Sequence, residues 1–473
     1  MRLWFSTVSA TGIALIPVLM ALDFGYSSVG AWATILIFGV LLIKATVTES
    51  VDFLYISVLC FFYIFMILAP LLQIEAGIFP WVDAYTTEDV ETSWLITAVA
   101  LVFFELGYLG LGTWYRGPNT VKILPTRLIS PVGAFNLFMI ALFFTILGIA
   151  FTGFDVLFLP RNKATTLLGE KMGGSTHITT MINALMRVPP TVIMLLFMYD
   201  FYNRLVSASR KPWLNINTVF MFLTVVLVAV VNNPISTARF WVGAIILTVV
   251  LLALYARRKN TAFFWFTLNL TLMVVVFPIA DLYRNTLDFN ILEDTVELSP
   301  AKELTYNADF DAFQQLVNAK VVVDHNGVQY GRQFASSILF FVPRFVWPNK
   351  AEPTGMYVAN DRNYSFGNLS SPLMAEFYVD GGLIGTILGM LLLGLLYRYL
   401  FELSKRRTIL IGCFYCFFAT YQFYFLRGSL MTVSNYMLVA LAFLGGIYLF
   451  RNLIFMKDIS DGADGVFTHG HQV

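Results

Sequence analysis

Charge is scarce in this chain: 12% of residues are Asp, Glu, Lys or Arg, while 58% are hydrophobic. With a mean hydropathy of +0.73, so little charge excludes a soluble domain and makes lipid the solvent for most of the chain. Cysteine is rarer still. Cys60, Cys413 and Cys416 all lie in apolar runs, which excludes a disulfide framework. The CxxC of Cys413 and Cys416 sits among phenylalanines and reads as inert core or lipid-facing thiols, not as a redox or zinc site. Histidine occurs four times, with His469 and His471 in the tail, too few for a transition-metal site. No metal, no cofactor and no nucleic-acid partner are expected. The net charge of +1 says nothing about partners; the distribution of charge does.

Long apolar runs are what the chain has in abundance. A span needs about 20 apolar residues. Twelve such runs occur, near 4–22, 27–43, 53–73, 94–115, 131–153, 177–200, 216–232, 240–256, 261–280, 372–400, 408–425 and 430–454. They predict an all-α polytopic membrane protein of about 12 transmembrane helices. The first run has one basic residue before it and no small-x-small cleavage site before Asp23, so it reads as a retained span joined to the second by the turn Asp23–Ser27. Residues 1–456 form one membrane domain that includes a long outer loop over 281–371, and 457–473 form a polar, disordered cytoplasmic tail.

Lysine and arginine set the orientation. With the N-terminus inside, every inner loop is basic, from Lys44 through Arg116, Lys122 and Arg127 to Lys405, Arg406 and Arg407. The second outer loop, EAGIFPWVDAYTTEDVET, holds five carboxylates and no base. Both termini are therefore cytoplasmic.

Against that rule, twelve of the thirty basic residues fall on the outer side. Seven of them are arginines: Arg161, Arg239, Arg284, Arg332, Arg344, Arg362 and Arg427. Pairing with nearby carboxylates, or snorkelling to headgroups, accounts for any one of them. For the set, Arg239 and Arg427 are the exceptions, because their short loops VNNPISTARF and YFLRGSL contain no carboxylate. The guanidinium fork suits bidentate phosphate binding, so the set points to a polyanion at the outer face, and a lipid-linked pyrophosphate fits best. An eighth arginine, Arg187, lies near the midplane of its span beside Pro189 and Pro190. Two readings stand for it: an ion pair with Glu105, the other intramembrane charge, or the lower end of a polar cavity.

The long outer loop contains YNADFDAFQQLVNAK. Phe310, Phe313, Leu316 and Val317 recur at helical spacing opposite Asp309, Asp311, Gln314 and Gln315, predicting an amphipathic helix resting on the membrane surface. Asp309 and Asp311 also form a DxD, a spacing that holds a metal in many sugar transferases, although carboxylates on a polar helix face need no special reason. A second interfacial stretch, GRQFASSILFFVPRFVWP, is too interrupted to span and carries Trp347. After the loop, Gly381, Gly385 and Gly389 predict close backbone packing against a neighbouring helix. Glu376 and Asp380, four apart, share one face at the outer end of that span, as salt-bridge partners of the arginines or as a general base.

The dozen spans, the late outer loop, the run GRQFASSILFFVPRFVWPNKAEP and the segment ending AEFYVDGGLIG resemble the bacterial O-antigen (Wzy-type) repeat-unit polymerases; the sharp part of the resemblance covers about 330–385. It implies an inverting, GT-C-like glycosyltransferase of the cytoplasmic membrane. Such an enzyme moves a growing glycan from undecaprenyl pyrophosphate to another lipid-linked repeat unit at the outer face, with a chain-length regulator as a further partner. By position, Arg161 and the group Arg284, Arg332, Arg344 and Arg362 match the arginine-bearing loops of that family. Glu376, Asp380 or His325 would assist the acceptor hydroxyl. Two other classes remain open: an O-antigen ligase, which would rely on a loop histidine such as His325, and a non-enzymatic transporter of the lipid-linked glycan.

Overall fold

Lipid cannot satisfy a bare peptide group, so apolar runs of this length close their hydrogen bonds within helices. The computed structural model describes residues 2–48, 51–114, 128–171, 176–206, 213, 215–257, 261–276, 299–367, 369–406 and 408–456, without the side chains at 2–6, 111–114, 161, 162, 165, 169 and 176–180. Among them the chain is helical; β structure is confined to an isolated bridge between Ile129 and Phe455.

The first half contains α1 (Arg2–Asp23), α2 (Val29–Val47), α3 (Phe53–Glu75), α4 (Thr87–Trp114), α5 (Pro131–Thr152), α6 (Arg161–Lys171), α7 (Thr176–Val206), α8 (Ile216–Val231), α9 (Arg239–Ala256) and α10 (Ala262–Val276). Four short helices follow in the long loop: α11 (Pro300–Tyr306), α12 (Ala312–Asn326), α13 (Arg332–Ile338) and α14 (Thr354–Asp361). Then come α15 (Leu373–Ser404), α16 (Ile409–Arg427) and α17 (Leu430–Leu449). Each of the twelve expected runs forms helix among its described residues, the tenth with a break at Gly381 and Gly382. Among the described residues nine helices are long and apolar enough to cross a membrane, and α1, α8 and α10 are shorter apolar helices.

Local chemistry sets the helix starts. Ser28, Asp52, Ser130, Asn215 and Thr408 each accept a main-chain N–H from the first turn of the helix they precede. Pro131 occupies the first turn of α5, where its missing donor costs nothing. Helix α3 is the centre of the bundle, buried without interruption from Asp52 to Leu71. A residue buried all round needs partners on every side, and α2, α4, α10 and α16 supply them.

The expected glycine seam is a different structure. The backbone of α15 breaks at Gly381 and Gly382, the latter at φ +60° and ψ −148°, a conformation open essentially to glycine alone. The chain turns back sharply there: the Thr386 hydroxyl lies 3.5 Å from the carbonyl of Met374, twelve residues earlier. In a continuous helix those residues would be about 18 Å apart. Leu373–Asp380 is thus a short arm folded against the spanning arm. Gly385 and Gly389 make room for Phe377 of that arm, and Gly381 faces open space. Close approach to a neighbouring helix occurs instead between Gly394 of α15 and Gly107 of α4, where an added methyl would strike Phe104 or Leu391 main chain.

The amphipathic surface helix is also corrected. Helix α12 is buried on every face from Ala312 to Val322. Its polar residues meet the loop between α3 and α4 and the start of α4. Gln314 accepts the Trp81 N–H at 3.0 Å and donates to the Trp81 carbonyl at 2.6 Å, Asn318 accepts from Tyr85 at 2.8 Å, and Lys320 pairs with Asp89 at 2.6 Å. The stretch after α13 does keep Phe341, Phe345 and Val346 exposed, as an interfacial segment would.

Candidate functional site

Two short loops that carry an arginine and no acid, and one long loop that carries the acids, meet over α3. Asp309 sits on the turn Ala308–Phe310, held by its N–H to the Asn307 side chain at 2.9 Å. One carboxylate oxygen takes a hydrogen bond from Arg239, the first residue of α9, at 2.8 Å. The other lies 3.7 Å from Arg427, the last residue of α16. Arg427 also reaches Asp311 at 3.3 Å and the Ala308 carbonyl at 3.1 Å, with its guanidinium 5.2 Å from the ring of Phe240. Asp311 is fully buried, and its oxygens accept from the Trp81 indole at 2.8 Å, from Gln315 at 3.3 Å and from the Ser370 hydroxyl. The DxD acids are therefore engaged by arginines, an indole, an amide and a hydroxyl. Among the described residues no three of His, Cys, Asp or Glu come together as a metal set.

A second arginine group lies on α13, which Arg332 begins, and on the loop after it, which carries Arg344. Arg332 donates to the Asn349 carbonyl at 3.0 Å, and Arg344 to the carbonyls of Lys350 at 2.9 Å and Ala351 at 3.4 Å. Lys350, itself buried, staples the loop by donating to the carbonyls of Phe340 at 2.5 Å and Val342 at 3.1 Å. Burial, together with the neighbouring Arg344, pushes the Lys350 ammonium below the usual lysine range. Both arginines keep an exposed face.

Between the two groups stand the carboxylates of the short arm. Glu376 accepts from the Thr354 hydroxyl and from the Leu430 N–H, each at 2.7 Å. Asp380 accepts the N–H groups of Gln333 at 2.9 Å and Phe334 at 2.6 Å, capping α13. The expectation that these acids pair with the arginines is corrected: helix N-termini offer them aligned N–H groups, and among the described residues neither makes an ion pair.

Arg362 belongs to a third cluster. It donates to Asp83 at 2.9 Å, and Tyr364 donates to the same carboxylate at 2.7 Å. Burial alone would raise the Asp83 carboxyl, but these two donors outweigh it and hold the group below the usual carboxylate range. The Arg187–Glu105 ion pair does not form. Glu105 is taken by Lys44 and, at 2.7 Å, by Tyr55, because α2 and α3 flank α4. Arg187 is buried within α7, which continues as helix through Pro189 and Pro190. His325 lies exposed in the last turn of α12. Arg161 starts α6, its side chain outside the described residues, as is the whole of Arg284.

Residues 348–458 match the family model described as O-antigen polysaccharide polymerase Wzy. The match supports the Wzy-type family. The matched stretch takes in the folded-back α15, Arg362, Glu376, Asp380 and Arg427, and leaves Arg239 and the DxD acids outside it. No curated protein and no solved structure matches the chain.

Sequence reasoning missed Asp83, Trp81, Thr354 and Ser370 as parts of the site. One signal was available: the stretch EAGIFPWVDAYTTEDVET carries five carboxylates and no base, so its acids need basic partners from elsewhere in the chain.

Proposed function

We propose that the chain polymerises lipid-linked repeat units at the outer face of the cytoplasmic membrane, with both termini cytoplasmic. The growing glycan is carried by undecaprenyl pyrophosphate, and an acceptor hydroxyl of a second lipid-linked unit attacks its anomeric carbon. The new glycosidic C–O bond forms as the bond to pyrophosphate breaks. Configuration inverts, undecaprenyl pyrophosphate leaves, and the hydroxyl proton passes to a carboxylate.

The observation that carries this reading is the convergence of Arg239 and Arg427 on one carboxylate at the mouth of the bundle. A pair of guanidiniums fixed in advance neutralises the charge that develops on a departing diphosphate. Arg332 and Arg344 line the second side and Arg362 extends the basic field, while Arg161 and Arg284 are carried as candidates from the sequence alone. Arg187 lies deeper, toward the lipid-linked end. Of the candidate bases we favour Glu376, which accepts a hydroxyl and a main-chain N–H, whereas both oxygens of Asp380 are taken by main-chain N–H groups. His325 is the remaining alternative. A chain-length regulator would act on this same face.

The test is reaction of the purified protein with a lipid-linked repeat unit, resolved on a gel. A ladder of products supports the polymerase. Transfer to lipid A alone would make it a ligase, and transbilayer movement of the lipid without a new glycosidic bond would make it a transporter.

A further inference from the structure

The two acids of the DxD are not equivalent. Asp311 is 1% exposed and held by four donors from four segments, a fixed anchor for Arg427. Asp309 retains 27% side-chain exposure on a three-residue turn, with one oxygen toward Arg239 and the other toward Arg427. A carboxylate that presents one oxygen to each of two guanidiniums has the charge and the bite of a phosphate group.

We infer that Asp309 is an internal stand-in for phosphate: it fills the Arg239–Arg427 slot while no substrate is bound, and a diphosphate displaces it. This rests on the phosphate-binding reading given above. The latch keeps two like charges together at a membrane surface without substrate, and the energy of the displaced ion pair is subtracted from substrate affinity. A partly exposed ion pair that water still reaches is weak enough to exchange. Asp311 is its counterpart, a positioning residue that stays in place and aims Arg427 throughout.

The two acids are therefore expected to act in opposite directions, which a shared structural role would not produce. Binding of undecaprenyl pyrophosphate to the purified full-length protein in detergent would be measured by thermophoresis. Asp309→Asn removes the competitor and should tighten binding about fivefold; Asp311→Asn should loosen it by about the same factor. Asp309→Glu keeps the competing charge and should bind near the wild-type level. Unchanged or weaker binding by Asp309→Asn overturns the latch. If Asp309→Asn does not fold, hydrogen exchange of the wild-type protein decides: adding the lipid must raise exchange at 307–311, and no rise there overturns the proposal. Wild-type affinity in both Arg239→Gln and Arg427→Gln would instead remove the phosphate-binding reading itself.

Discussion

The main-chain N–H of Leu430 donates to Glu376 at 2.7 Å, so a side chain of the short arm of α15 finishes the N-terminus of α17. The other oxygen of the same carboxylate takes the Thr354 hydroxyl. Glu376→Gln preserves shape but not basicity. It should lower the polymerisation rate about 100-fold or more while the melting temperature stays near wild type. Glu376→Ala leaves the Leu430 donor without its acceptor and should also cost about 1–3 kcal/mol of stability. Rates from the product ladder and melting in detergent check both; a Gln variant with full activity would move the base elsewhere.

Arg239 and Arg427 should not tolerate lysine. Lysine keeps the charge but loses the planar fork, and Arg427 also stacks near Phe240. Arg427→Lys is expected to reduce kcat/KM about 10-fold and Arg427→Gln about 100-fold, with protein levels in the membrane unchanged. Equal activity in all three proteins would show that the fork is not used.

Gly382 and Gly381 form a matched pair of variants. Gly382→Ala forces a side chain into a region reserved for glycine and should destabilise by about 1–3 kcal/mol. Gly381 has a negative φ and open space about it, so Gly381→Ala should lose well under half as much. Thermal denaturation in detergent compares them.

The Asp83–Arg362 contact predicts a pH dependence. Because the folded-state carboxyl is held low, its contribution is complete above the unfolded aspartate pKa, about 4, and is lost as pH falls through the folded value. Melting temperatures between pH 3 and 7 should fall more steeply on the acid side for wild type than for Asp83→Asn. Identical profiles would mean that the contact adds nothing.

The spans were legible because hydropathy over some 20 residues is a local property, and each apolar run is helical among its described residues, apart from breaks such as that in α15. The long loop was legible as helical but not in its placement. The pattern of Phe310, Phe313, Leu316 and Val317 gives a face, whereas the burial of Gln314, Asn318 and Lys320 depends on a loop more than 200 residues earlier in the chain. The doubled glycine was visible, yet Gly381, Gly385 and Gly389 at four-residue spacing describe a helix seam equally well. Only the φ of Gly382 distinguishes a seam from a hairpin. The arginines of the site stood out because they break the expected charge rule, whereas their pairing with Asp309, Asp311 and Asp83 was missed because charge complementarity between distant loops has no sequence period.

The folded-back arm of α15 also has a mechanical meaning. Through Asp380 it grips the segment that bears Arg332 and Arg344, and through Glu376 it grips the segment that follows Arg427. A displacement of this crossbar would be felt by both segments, so the settings of Arg332 and of Arg427 are coupled through one short arm.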